Sequence, residues 1–125
     1  MSKQSIFTRK APEAIGPYSQ AVLLQNLLFV SGQIPLNNEG SLIEGDFEKE
    51  VKQIFANIKA ILNEADMDFE NVLMVNVYLK DINLFSELNR IYSSYFAPPY
   101  PARAVVEVSG LPKGVRVEIS VIAGR

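Results

Sequence analysis

Two hydrophobic periods alternate along the chain, and the switches between them mark its elements. In "DFEKEVKQIFANIKAILNEA" apolar residues recur at Phe47, Val51, Ile54, Phe55, Ile58, Ile61 and Leu62. That spacing is close to 3.6 residues and predicts an amphipathic helix. Asp46 stands where its carboxylate can accept a free amide of the first turn, and Glu48 and Glu50 suit the positive end of the helix dipole. "NLFSELNRIYSSYF" (83–96) predicts a second helix, with Leu84, Leu88, Ile91, Tyr92, Tyr95 and Phe96 as its buried stripe. Either Asn83 or Asp81 caps it, and Pro98-Pro99 stops it. Tyr92, Tyr95 and Phe96 at helical spacing read as core rather than as an aromatic box.

The remaining apolar segments read as strands. "KQSIFTR" (3–9) is a short edge strand, followed by the Pro/Gly-marked loop "KAPEAIGPYS". "SQAVLLQNLLFVSG" predicts strands over 19–24 and 27–32 with a tight turn at Gln25-Asn26. "QIPLNNEGSLIEG" is loop by composition. "NVLMVNVYLK" (71–80) is apolar on both faces and reads as a central strand. "YPARAVVEVSGLPKGVRVEISVIAG" closes the chain as two strands joined by a Pro/Gly turn. The order ββαβαββ predicts an α+β domain, a mixed sheet with two helices on one face and right-handed crossovers. Two helices cover one face only, while strands 71–80 and 27–32 are apolar on both. Another copy of the chain is the expected cover, which predicts an oligomer.

In the closing hairpin, one register places Ala102, Ala104, Val106 and Val108 opposite Val121, Ile119, Val117 and Val115, all on one face. It sets Glu107 against Arg116 as a cross-strand ion pair. Arg103 and Glu118 then share the face turned away from the helices. Read from the residues alone, two accounts of them stand. They neutralise each other across the sheet, the commoner situation, or they line a pocket at a subunit boundary. In such a pocket arginine's planar fork grips a carboxylate and glutamate polarises a water.

Composition narrows the chemistry. The 125 residues fit one domain, 1–125. No Cys is present, so disulfides, thiolate nucleophiles and Cys-based zinc sites are excluded. No His is present either, which removes the commonest general base and metal ligand. A net charge of −2 and a pI of about 5.1 argue against a nucleic-acid binder. The N-terminal stretch has no apolar core of a leader, and no apolar run reaches the ~18 residues of a membrane span, so a soluble cytoplasmic protein is expected.

"PARAVVEVSGLPKGVRVEI" closely resembles the signature of the YjgF/RidA family, the reactive-intermediate (imine) deaminases. "APEAIGPYSQAV", "FVSGQIPL" and "FSELNRIYSSYF" resemble it equally, in the same order over nearly the whole chain. The resemblance implies a chorismate-mutase-like fold assembled as a homotrimer with three intersubunit clefts. It implies hydrolysis of 2-iminopropanoate and 2-iminobutanoate, released by pyridoxal-phosphate dehydratases, to 2-oxoacids and ammonia, with no metal or organic cofactor. Arg103 then matches the arginine that binds the substrate carboxylate, and Glu118 the glutamate that positions the attacking water. Tyr18 matches a cleft-lining tyrosine, Ser31 with Gly32 a polar turn at the cleft, and Asn89 an asparagine on the second helix. Backbone groups near Val105 or Ser31 are placed to meet the imine nitrogen. One departure is visible: many members have Cys where this chain has Val105. Other readings within the family are a 2-oxoacid-binding regulatory trimer and an endoribonuclease. The acidic pI and missing His weigh against the latter. Chorismate mutase rests on fold analogy alone.

Overall fold

The computed structural model describes residues 2–125. Its strands are β1 (Gln4–Ile6), β2 (Ala21–Leu24), β3 (Leu27–Gln33), β4 (Val72–Leu79), β5 (Ala102–Glu107) and β6 (Val117–Gly124). Its helices are α1 (Phe47–Glu64) and α2 (Phe85–Tyr92). One six-stranded sheet runs in the order β1-β2-β3-β6-β4-β5. β4 and β5 pair in parallel; the other neighbours are antiparallel.

The helix α1 follows its apolar period. Phe47, Val51, Ile54, Phe55, Ile58, Ile61 and Leu62 are all buried, and the Asp46 carboxylate accepts from the Lys49 amide at 3.2 Å. The second helix is shorter than its pattern. Asp81 rather than Asn83 caps, and it caps a short 3-10 turn (Ile82–Leu84) ahead of α2. At the other end the hydroxyls of Ser93 and Ser94 donate to the carbonyls of Arg90 and Ile91, at 2.8 and 2.7 Å. Serine hydroxyls that bond back to the preceding turn compete with helix propagation, and α2 ends at Tyr92. Both helices pack on one face of the sheet, where their apolar residues join Val75, Val77, Leu79, Val117, Ile119 and Val121 in one core.

The closing hairpin does not form. β6 inserts between β3 and β4, with Val117, Ile119 and Val121 opposite Leu79, Val77 and Val75, while β5 lies at the sheet edge. The alternation of β6 is satisfied equally by β4 and by β5, so burial decides. Those six β4 and β6 side chains are essentially inaccessible, whereas Ala102 and Ala104 are too small to fill the centre of a sheet. Charged Arg103 and Glu107 suit an edge, where they also discourage further strand pairing. Glu107 and Arg116 are accordingly not a pair. Glu107 accepts from the Ile82 amide at 2.8 Å. Arg116 instead holds the buried Glu50 through Nε at 3.2 Å and Nη2 at 2.5 Å.

On the helix-free face a row of registered residues, Val22, Phe29, Ile122, Met74 and Ala102, crosses five strands. All five are half-buried or exposed, so this face is the apolar surface expected from the alternation. Among the described residues no helix is long and apolar enough to cross a membrane.

Candidate active site

Pairing through β4 places Arg103 and Glu118 on opposite faces. Arg103 is registered with Val75, which is buried beneath the helices; Glu118 is registered with Tyr78, on the helix-free side. Two strand spacings and three residues of offset put their backbones about 10 Å apart across the sheet and about 10 Å apart along it. The expectation that they share a face fails because it depended on the hairpin. The account in which they neutralise each other across the sheet fails with it. Their surroundings are two separate half-sites.

The first half-site is a cleft of about 590 Å³ that Tyr18, Ser31, Gly32 and Glu118 help line, with Ile15 and Lys113 beside them. β3 and β6 lose register between Val30 and Gln33, so Ser31-Gly32 form an irregularity inside β3 rather than a turn after it. Such a bulge re-aims side chains locally. The Ser31 hydroxyl donates to the Ser19 carbonyl at 2.6 Å and the Ser31 amide to the Gln20 carbonyl at 2.9 Å, which ties β3 to the loop carrying Tyr18. Gly32 leaves room for the carboxylate: a Cβ there would lie 2.8 Å from the Glu118 carboxyl carbon and push that side chain aside. The carboxylate therefore rests on bare backbone. It is half-buried, and burial alone pushes its pKa above the ordinary 4.5. Among the described residues no cation lies within ion-pair distance of it.

Two buried amides that carry no sign of function in the sequence hold the cleft walls. Gln20 accepts from the Thr8 amide at 2.8 Å and donates to the carbonyls of Thr8 and Pro12, at 3.0 and 2.8 Å. It thereby fixes the segment leading to Tyr18. Asn57 is fully buried and donates to the Leu36 carbonyl at 2.8 Å, anchoring the opposite wall. The one available signal was its spacing: Asn57 falls at i+7 from Glu50 and i+3 from Ile54, on the inward side of α1.

The second half-site surrounds Arg103 on the edge strand. Its Nη1 donates to Asn89 Oδ1 at 2.7 Å, and its guanidinium carbon lies 4.7 Å from the Tyr92 ring centroid and 5.6 Å from that of Phe85. Val105, two residues on, is half-buried against the core, where its side chain fills space and offers no chemistry. Asn89 thus meets Arg103 directly, while Tyr18, Ser31, Gly32 and Glu118 gather elsewhere. Among the described residues no group of three or more His, Cys, Asp or Glu side chains could hold a metal ion.

Fold and half-sites together define a small α+β domain in which an unpaired cation and an unpaired, partly desolvated carboxylate are built on opposite sides of one sheet. Comparison with known proteins gives the lineage. The family described as Endoribonuclease L-PSP, the YjgF/RidA family, matches residues 8–124, and the chain belongs to it. A RutC family protein of Pyrococcus abyssi is 51% identical over 124 residues, 98% of each chain. The 2-iminobutanoate/2-iminopropanoate deaminase of Homo sapiens is 47% identical over 122 residues, 97% of this chain and 89% of that one. The crystal structure of YyfA of Yersinia pestis, from the conserved Rid protein family, superposes with a TM-score of 0.96 at 46% identity, covering 99% of this chain and 100% of that one.

Proposed function

We propose that the chain is a cytoplasmic 2-iminobutanoate/2-iminopropanoate deaminase that works as a homotrimer, Arg103 of one subunit completing the Glu118 cleft of the next. One observation carries the reading. The two groups the reaction needs are both present, both unpaired, and too far apart in a single chain to act on one small molecule. The apolar helix-free face supplies a surface through which copies can associate. Relatives at this level of identity bear the deaminase name.

The substrate is a 2-imino acid, anionic at its carboxylate and electrophilic at the adjacent carbon. Arg103 holds the carboxylate and fixes that carbon, which is catalysis by orientation. Glu118 orients a water and takes one of its protons as the oxygen bonds to the imine carbon. Its raised pKa brings it closer to the working pH, where a general base is most effective. Glu118 then returns its proton to the nitrogen of the resulting carbinolamine, the C–N bond breaks as the hydroxyl oxygen forms the new carbonyl, and the hydroxyl proton passes to bulk water. The products are the 2-oxoacid and ammonia, with water the only co-reactant. A cation meets the carboxylate, an anion faces the cationic imine, and no metal enters the scheme.

In a dehydratase-coupled assay with serine and threonine as parent substrates, Arg103→Ala is expected to lower the acceleration of imine decay roughly ten- to hundredfold while keeping the wild-type fold. Retained acceleration in that variant would falsify the assignment.

A further inference from the structure

Phe85, Asn89 and Tyr92 recur at i, i+4 and i+7, which sets them in one stripe along α2. All three reach the same side chain, the Arg103 guanidinium. Among the described residues no carboxylate lies within ion-pair distance of that cation. Tyr92 is 7% exposed, and its buried hydroxyl has no hydrogen-bond partner. At this position the ring makes the contacts and the hydroxyl makes none.

We infer that the Phe85–Asn89–Tyr92 stripe is a charge-preserving clamp, with Phe85 and Tyr92 as positioning residues that present Arg103 to an anionic ligand. The inference deepens the deaminase reading and rests on its assignment of Arg103 to the substrate carboxylate. An arginine on an exposed edge strand has several free rotors, and ordering it has an entropic cost. An acid would order it at the expense of its charge. Aromatic faces and an amide oxygen attract a cation without cancelling it. Arg103 therefore meets a carboxylate both ordered and fully charged. Of its donor nitrogens, Nη1 is engaged by Asn89, and Nε and Nη2 have no partner among the described residues. Those two nitrogens form the edge that a carboxylate can grip with two parallel hydrogen bonds.

Substitution at the stripe separates the clamp from simple packing. The probe is 2-oxobutanoate, titrated calorimetrically against Tyr92→Phe, Tyr92→Leu, Phe85→Leu and Asn89→Asp, with turnover measured in parallel. Tyr92→Phe keeps the ring and is expected to bind as wild type does. Tyr92→Leu and Phe85→Leu are expected to weaken binding about five- to thirtyfold, the size of a cation–π contact, and to lower kcat/KM by at least the same factor. Asn89→Asp is expected to hold Arg103 more firmly and yet lose 2-oxobutanoate binding, the reverse of what a packing role predicts. Should Tyr92→Leu not fold, singly, doubly and triply fluorinated phenylalanines at position 92 replace it, and affinity must fall stepwise with fluorine count. Wild-type affinity in a folded Tyr92→Leu protein overturns the clamp, as does an equal loss in Tyr92→Phe. If the stripe variants weaken 2-oxobutanoate binding in a protein that shows no turnover, the clamp stands and the deaminase reading alone falls.

Discussion

Mixed oligomers offer the sharpest test of a site divided between copies. Arg103→Ala removes a cation from an exposed edge strand, and Glu118→Gln is isosteric at a half-buried position, so neither perturbs the core. A charge-assisted hydrogen bond contributes about 1.5–3 kcal/mol, so Arg103→Ala should lower kcat/KM roughly ten- to hundredfold. Loss of a general base should cost Glu118→Gln about 10²- to 10⁴-fold. Suppose the two variants are unfolded together at equal concentration and refolded into oligomers. In the proposed assembly each cleft draws its arginine from one subunit and its glutamate from the neighbour. An intact arginine and an intact glutamate each occur half the time, so about one cleft in four is wild type whatever the size of the ring. Recovery of about a quarter of wild-type kcat/KM is expected, above the background of either parent. Native mass spectrometry of differently tagged variants verifies that mixing occurred. Mixed oligomers with no recovery would refute the division, because a site contained in one chain is never restored by mixing.

Three further outcomes follow from single residues. Gly32→Ala puts a methyl group within 2.8 Å of the Glu118 carboxyl carbon and should displace the carboxylate; a shift of about 1 Å lowers kcat on the order of 10²-fold, while thermal stability stays close to wild type. The pKa of Glu118 is raised by burial, so the folded state favours the protonated form, and its stabilising effect, present below the unfolded pKa, is lost as pH rises through the folded value. Relative to wild type, Glu118→Gln should thus gain stability in urea melts between pH 4 and pH 7, and should lose the acid limb of the kcat/KM profile, which the wild type shows above the ordinary carboxylate range; identical melts at both pH values count against the shift. Asn57→Ala leaves the Leu36 carbonyl without its buried partner and opens a small cavity. That should cost about 2–3 kcal/mol in denaturant melts and weaken ligand binding by loosening the wall it anchors.

How much of this was legible depended on whether the information was local. The period of α1 and its Asp46 cap are written in consecutive residues, and both appear as read. The partner of β6 is not local. Alternation fixes which face a residue takes but not which strand lies beside it, and β4 and β5 offered similar patterns. The larger side chains of β4 won, and with them went the face assigned to Arg103. Glu50 read as a favourable charge at a helix start; buried against Arg116, it became the partner that Glu107 was expected to be. Aromatic residues at helical spacing looked like packing, and Tyr92 does pack, 4.6 Å from Phe96. Its second contact, with Arg103, is invisible until β5 is known to lie at the edge beside α2.

Separation on opposite faces resolves a difficulty that proximity would create. An arginine and a glutamate within reach of each other in one chain would form an ion pair. The glutamate's pKa would then be driven down, and the arginine would enter the site already neutralised. Here Glu118 feels only burial and Arg103 only aromatic faces and an amide, so each keeps the property that the proposed chemistry would require. In the assembly proposed above, the substrate is the first charged body to lie between them. Its carboxylate and its cationic imine match the two in order, and its own charges complete an arrangement that the protein alone leaves open. A ligand lacking either charge would leave one of the two groups desolvated and unpaired, which costs more than its own missing contact contributes. If the site is divided as proposed, the division would select for small zwitterionic imines over neutral amides of the same shape.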